Sequence, residues 1–380
     1  MLGNQRHLFD IPDSITYLQC ASQTPLLRAS VAAGEMGVAR KASPWEALRE
    51  DATREAHEVR SLFAGLIGAT NEDIALVPSA SYGMAVAAAN LDIAPSQEIL
   101  ILQDQYTSNY YVWHQLAEKR RARLVVTERP ANSDWTAAVL ARIVPETAIV
   151  AVPPCHWTDG SRLDLVAVGA QCRALGAALV VDGTQFVGAA PFDVTAVQPD
   201  FMVCSAYKWL LCPYTLAFLY AAPRRQSGCP IEFHDGARRG DPSKTQKEPG
   251  YAMEFHGNAR RYDMGERNNC ITMPMALSAL KQLHAWTPQA VATTLAELTE
   301  QIAAGAEERG FSVPPAEHRV AHFIGFRATE PPPKDLVERC AVDGVHFNLR
   351  NGAIRISPHL FIDKADIDRF FTVFDRHWQP

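Results

Sequence analysis

The chain has 380 residues, 47% of them apolar, and a formal net charge of −6. That size accommodates one large core with a smaller companion, and the composition is that of a packed globular protein rather than a disordered one. The acidic balance argues against a general nucleic-acid or anionic-membrane binder.

The opening stretch MLGNQRHLFD carries no apolar run after its basic residues, so no secretory signal is expected there. No apolar stretch approaches the roughly 20 residues that a membrane-spanning helix requires. Short apolar runs predict strands at 74–77, 99–102, 148–152, 179–182, 201–205 and 215–220. Helical patterns lie between them, such as 161–175 with Leu165, Val168, Cys172 and Leu175 on one face. The basic cluster Arg120, Arg121 and Arg123 reads as a solvated face. Strands without polar alternation, separated by helices, predict a mainly parallel sheet covered on both sides.

After Ala222 the pattern breaks. Residues 223–269 carry charges, glycines and prolines without sustained periodicity. Within them the segment 227–256, with His234, Asp235, Arg238, Arg239 and His256, suits a substrate-selecting lid and an exposed loop equally. Periodicity returns at 275–286, followed by a long helix bearing Val291, Leu295, Leu298 and Ile302, which Gly310 stops. A strand near 320–326, a turn at 331–333, a helix near 334–342, a strand at 353–357 and a last helix bearing Ile367, Phe370, Phe371 and Phe374 complete the chain. The expected division is a large domain over 15–270 and a small α+β domain over 271–380, with residues 1–14 assignable to the latter. The eight cysteines include no CxxC pair and no framework spacing, which suits a reducing, cytoplasmic setting. No metal site is expected.

Chemistry concentrates in the centre. Lys208 lies between two apolar runs, where withdrawal from water disfavours the ammonium and turns the amine into a nucleophile toward aldehydes. The plainer alternative is a lysine whose stem packs on Trp209 while its head reaches solvent. Asp182 ends a predicted strand, and ligands of open α/β sheets collect beyond such strand ends. A lysine for imine formation and a carboxylate for a pyridinium nitrogen are the minimal kit of pyridoxal phosphate (PLP) chemistry. A nucleotide-binding oxidoreductase is the competing class, but no GxGxxG follows a strand.

The run DGTQFVGAAPFDV…PDFMVCSAYKWLLCPY resembles the signature of class V aminotransferase-like enzymes, within the fold-type I PLP superfamily. The resemblance extends from about Tyr17 to Phe374. It implies that Lys208 forms the Schiff base and shuttles the Cα proton, that Asp182 holds the pyridine nitrogen and that Gln185 holds the ring hydroxyl. Ser205 would contact the cofactor phosphate, with Tyr207 beside it where the family often has histidine. VPSASYGMAVAAANL resembles the family's phosphate cup, which assigns Ser79, Ala80 and Ser81 to the phosphate at a helix start. In LQDQYTSNYYVWHQL, Tyr106 is the choice for the residue stacked on the ring. In CHWTDG, Thr158 is favoured for cofactor contact over His156, with Asp159 serving the turn at Gly160. FNLRNGAIRISPHLF resembles the arginine-bearing C-terminal strand, so Arg355 would clamp the substrate α-carboxylate, with Arg350 its neighbour. YLQCASQTPL resembles the segment that closes over substrate and nominates Ser22 and Gln23. In RYDMGERNN, Glu266 stands where relatives place the residue that reaches the partner subunit's phosphate, leaving Arg267 or Asn268 for that role in a homodimer.

The resemblance implies an amino-acid substrate and transamination or Cα/Cβ elimination. An isopenicillin N epimerase-like epimerisation is the alternative, and a catalytically retired binding protein is the non-enzyme one. Cysteine desulfuration is disfavoured, because the residues after Arg350 are Asn351, Gly352 and Ala353, and the nearest upstream thiol is Cys340 on a predicted helix.

Overall fold

The computed structural model describes residues 1–46, 49–239 and 251–378. In chain order the first elements are β1 (Thr16–Tyr17), α1 (Arg28–Ala42), α2 (Arg49–Leu66), β2 (Ile74–Val77), α3 (Ala80–Ala89), β3 (Glu98–Leu102), α4 (Tyr111–Arg120) and β4 (Arg123–Thr127). Next come α5 (Trp135–Leu140), β5 (Thr147–Val152), α6 (Leu165–Leu175), β6 (Ala178–Asp182), α7 (Val194–Val197), β7 (Phe201–Ser205) and β8 (Ala217–Ala221). The C-terminal part contains α8 (Thr272–Trp286), α9 (Pro288–Glu308), β9 (Ile324–Phe326), α10 (Leu336–Val342), β10 (Val345–His346), β11 (Asn348–Arg350), β12 (Ala353–Ile356) and α11 (Lys364–Trp378).

Seven strands form one sheet in the order β2-β8-β7-β6-β5-β3-β4. Strand β8 runs antiparallel to both neighbours, and the other pairings are parallel. The fold is therefore α/β with a mostly parallel central sheet flanked by helices. Every residue of β2, β3, β6, β7 and β8 is buried. Alternate side chains feed two cores: Leu76, Leu100, Val150, Val181 and Met202 on one face, Val77, Ile101, Ile149, Val180 and Val203 on the other. Each such side chain contributes about 1.5–3 kcal/mol by leaving water.

Local chemistry sets the ends of elements. Asp164 accepts the N–H groups of Val166 and Ala167, so α6 starts at Leu165 rather than at 161. Thr215 adopts a positive φ of 62°, which delays β8 to Ala217. Edge strand β4 is half exposed, and its Arg123 pairs with Glu98 of the neighbouring strand.

The C-terminal sheet runs β11-β12-β9, antiparallel throughout. The chain's beginning lies along this layer. Strand β1 pairs in parallel with β10, although Thr16 and Tyr17 fall in the stretch expected within the large domain. Gln5 N donates to Leu360 O, Cys20 N to Ser357 O, and the Thr16 hydroxyl to Asp366 at 2.8 Å. Among the described residues no helix is long and apolar enough to cross a membrane. All eight cysteines are free.

Candidate active site

The carboxyl ends of β3, β5, β6 and β7 open onto a cavity, which the first residue of α3 closes from one side. Lys208 lies three residues beyond β7 and is only 4% exposed. Its Nζ sits 5.1 Å from the centre of the Tyr106 ring and 5.6 Å from that of Tyr207. Burial lowers its pKa to about 8; Asp182 opposes this shift, while Arg355 and Arg350 reinforce it. A solvated lysine head is thus ruled out, and the amine is poised to lose its proton near neutrality.

Asp182 ends β6, and its pKa is raised by burial. Among the described residues its carboxylate accepts hydrogen bonds from Thr184, through an N–H at 3.1 Å and the neighbouring hydroxyl. A buried carboxylate can accept about four hydrogen bonds, so this one is left short of donors while facing the cavity. Gln185 lines the same cavity; its amide nitrogen donates to Ala21 O at 2.8 Å and its amide oxygen accepts from Trp209 Nε1 at 3.0 Å. One amide hydrogen remains for a ligand. The Ser205 N–H is held by the Thr184 hydroxyl at 3.1 Å.

Ser79 caps α3 by accepting the Tyr82 N–H, and its hydroxyl meets that of Ser81 at 2.9 Å. Ala80 begins the helix and lines the cavity. Tyr207 stacks on Tyr214 at 4.2 Å, and burial pushes its phenol up to about 12. Tyr106 packs edge-on against Trp157, with centroids 5.3 Å apart.

Thr158 lies apart from these residues. Its hydroxyl bonds His156 Nδ1 at 2.7 Å and Arg129 at 3.0 Å, in a buried cluster facing away from the cavity. Cys155 and Trp157 line the cavity in its place. The turn after β5 places Cys155 and Trp157 at the cavity and His156 and Thr158 in the buried cluster. Burial lowers His156 to about 4, so its neutral ring accepts at Nδ1 and donates from Nε2 to Gln103 O. Asp159 accepts the N–H and hydroxyl of Ser161, serving the turn at Gly160.

Arg355, on β12, is 1% exposed. It donates to Trp157 O at 2.7 Å, the Ser22 hydroxyl at 2.6 Å and Asn348 Oδ1 at 3.2 Å. Burial, followed by Arg350, lowers its pKa to about 9. No carboxylate pairs with it among the described residues. Gln23 is exposed, and only its backbone is engaged, its carbonyl accepting the Tyr17 hydroxyl at 2.8 Å.

Thr184, Trp157 and Asn348 were not singled out from sequence. Thr184 sits inside the quoted DGTQ motif and was findable there; Asn348 becomes a partner of Arg355 only through the register of β11 on β12. In the expected lid, residues 240–250 lie outside the described residues. The flanks are tied down: the Arg238 guanidinium covers Phe255 at 3.7 Å, and His234 Nε2 donates to Asp263 O. Glu266 has a positive φ of 57°, Arg267 pairs with Asp263 at 3.1 Å, and Asn268 donates to Thr53.

A buried amine with a lowered pKa, an under-satisfied carboxylate, aromatic cover and a helix N-terminus are the features that pyridoxal phosphate requires of its site. Those residues fit the cofactor, with Lys208 and Asp182 supplying the amine and the acid. A model of the Aminotransferase class-V family matches residues 35–370, and the chain belongs to that family. It is 29% identical over 188 residues to isopenicillin N epimerase of Streptomyces clavuligerus, covering 48% of this chain and 47% of that protein. A probable cysteine desulfurase of Mycoplasma genitalium is 25% identical over 156 residues, 40% of this chain and 38% of the relative. These matches thus span less than half the length of either curated relative. In fold, the chain is similar to the cysteine desulfurase CsdA of Escherichia coli (TM-score 0.82, 18% identity, 98% of this chain and 97% of that one). It is also similar to a C-DES mutant with glycine covalently linked to its PLP cofactor (TM-score 0.85, 17% identity, 98% and 99%).

Proposed function

We propose that this PLP-dependent enzyme acts on an amino acid by transamination or Cα/Cβ elimination. The observation that carries the proposal is Lys208: a buried amine without an ion-pair partner among the described residues, with Asp182 and Arg355 both acting on its charge. Bound PLP supplies an electron sink for the pair left when a substrate Cα bond breaks. The protein's own groups do the rest. Asp182 offers its carboxylate to the ring nitrogen, Gln185 its spare amide hydrogen to a ring oxygen, and the start of α3 with Ser79, Ala80, Ser81 and Ser205 its donors to the phosphate. Tyr106 covers the ring. Arg355, oriented by Trp157 O, Ser22 and Asn348, holds the α-carboxylate. Lys208, neutral above a pKa of about 8, takes a proton at the substrate Cα and returns it.

Epimerisation is the second reading, favoured by the likeness to isopenicillin N epimerase. Desulfuration is disfavoured: Cys340 is fully buried in α10 with its thiol pushed up to about 11, and burial raises the cavity thiol Cys155 well above its ordinary range. A homodimer in the cytoplasm belongs to the same proposal, supported by family membership and eight free thiols.

The test is direct. Purified protein supplied with PLP is expected to turn yellow, and borohydride is expected to fix the label on Lys208. Keto-acid formation then separates transamination or elimination from epimerisation. Solvent deuterium exchange at Cα with retained amine and no keto acid would exclude the first reading. A colourless protein that takes up no cofactor would refute both.

A further inference from the structure

Buried and half-buried arginines in this chain usually meet an acid. Arg60 pairs with Asp263, Arg129 with Asp159, and Arg225 with Asp200. Arg355 is only 1% exposed and yet has no carboxylate partner among the described residues, and neither has its half-buried neighbour Arg350. Register places them together. Asn348 of β11 lies opposite Arg355 of β12, and Arg350 is two residues beyond Asn348, so all three side chains share one face of the sheet. Both guanidinium groups turn to the same hydroxyl, Ser22 Oγ, at 2.6 Å from Arg355 and 3.4 Å from Arg350, which brings their Nη2 atoms to within about 6 Å of each other. The second Nη of Arg350 donates to Leu349 O at 3.0 Å, so the head is drawn back over its own strand instead of extending into water.

Charge counting on this rim leaves a surplus. Lys208, Arg350 and Arg355 are three cations that act on one another, and Asp182 is the acid set among them. In the function proposed above the cofactor engages Lys208 through its aldehyde and Asp182 through its ring nitrogen, so the uncompensated charges are those of the two arginines. An α-carboxylate neutralises one guanidinium and leaves the other, beside the same Ser22 hydroxyl, without a counter-charge. Two like charges this close, without counter-charge, are costly unless an anion arrives with the ligand.

We infer that the substrate is an amino acid whose side chain carries a second acidic group, a carboxylate or the similarly sized sulfinate, with Arg355 holding the α-carboxylate and Arg350 the side-chain acid. Guanidinium groups that share one hydroxyl suit a short spacer such as that of aspartate or glutamate. Arg350 is thereby the residue that determines specificity, and Ser22 with Asn348 sets the separation of the two clamps. This inference rests on the proposed PLP chemistry.

The experiment titrates PLP-loaded protein with aspartate, glutamate and cysteine sulfinate against asparagine and glutamine, following the absorbance of the bound cofactor. The acids are expected to bind roughly 10- to 100-fold more tightly than their amides, the scale of a hydrogen bond to a charged group. Arg350→Gln is expected to collapse that ratio toward one, and Arg350→Lys, which keeps the charge but not the fork, to restore part of it. Preference for cysteine sulfinate over aspartate would assign the sulfinate as the second acid. Equal affinity for acids and amides in the loaded wild-type protein would overturn the inference while leaving the PLP chemistry intact. Equal weakening of both classes by Arg350→Gln would also overturn it, by placing Arg350 on the α-carboxylate. Failure of Lys208 to take up PLP at all would instead count against the proposed function.

Discussion

A buried lysine with no ion pair among the described residues is expensive to fold, and that cost can be measured. Burial sets the Lys208 pKa at about 8, against 10.5 for the free side chain. Below pH 8 the amine is protonated in the folded and the unfolded chain alike, and the folded state bears the full penalty. Between pH 8 and 10.5 the unfolded chain holds the proton that the folded chain has released, so stability rises with pH and the penalty fades. Cofactor-free Lys208→Met is therefore expected to be more stable than the wild type at pH 7, by on the order of 3 kcal/mol, with the gap narrowing as pH approaches 10.5. Thermal melts of the two proteins at both ends of that range check this; identical melting temperatures at pH 7 would contradict it. Asp182 supplies a second prediction. Asp182→Asn keeps the shape of the side chain and removes its charge, so the loaded variant should retain cofactor colour yet lose turnover by roughly 100-fold or more. Single-turnover kinetics beside an absorbance spectrum separate that outcome from simple loss of the cofactor.

At the scale of elements, the legible parts were those in which one chemical signal dominates. Strands β2, β6 and β7 are buried on both faces, so their residues form unbroken apolar runs that stand out in the sequence. Strand β4 was missed because an edge strand exposes Arg123 and Val126, and its pattern resembles a solvated surface. Strands β1, β10 and β11 are two or three residues long and acquire their pairing only across the fold, from partners no window of sequence contains. Helix α3 is legible from its serine cap and alanine-rich body, but the sequence does not reveal how tightly it lies on β7. A Cβ at Gly83 would come within 2.8 Å of both Val203 methyl groups. Gly83→Ala must therefore lift α3, whose N-terminus faces the cofactor cavity. The expected loss is about 1–3 kcal/mol of stability, accompanied by weaker PLP binding. Adding Val203→Ala should restore much of both, and calorimetry with a PLP titration reads them together. A Gly83→Ala protein with an unchanged melting point would show that the contact is loose.

Across the whole molecule, the site joins segments that are neighbours only after folding. Lys208, Asp182, Gln185 and Ser205 fall within a short window around two buried strands, which is why a sequence motif can contain them. Ser22, Trp157, Asn348 and Arg355 meet because the chain's beginning runs along the C-terminal sheet and Trp157 O reaches β12. No local pattern encodes that meeting. The large layer has its own long-range clasp at Asp263, which is wholly buried. Its carboxylate takes both Nη atoms of Arg60 on α2 at 2.9 Å, the Leu76 N–H of strand β2 at 2.8 Å, and Arg267 at 3.1 Å. One acid thus fastens α2, the outermost strand on its side of the sheet and the segment leading into α8. Its removal leaves Arg60 buried without an anion, so Asp263→Ala is expected to cost roughly 3–5 kcal/mol. Replacing both partners by apolar side chains, Arg60→Met with Asp263→Leu, should cost less than Asp263→Leu alone, because Arg60 is then not left buried without an anion. Denaturant midpoints for Arg60→Met, Asp263→Leu and the double variant decide the matter. Strictly additive losses would mean that Arg60 and Asp263 do not act as a unit, and that the layer is held by its apolar cores alone.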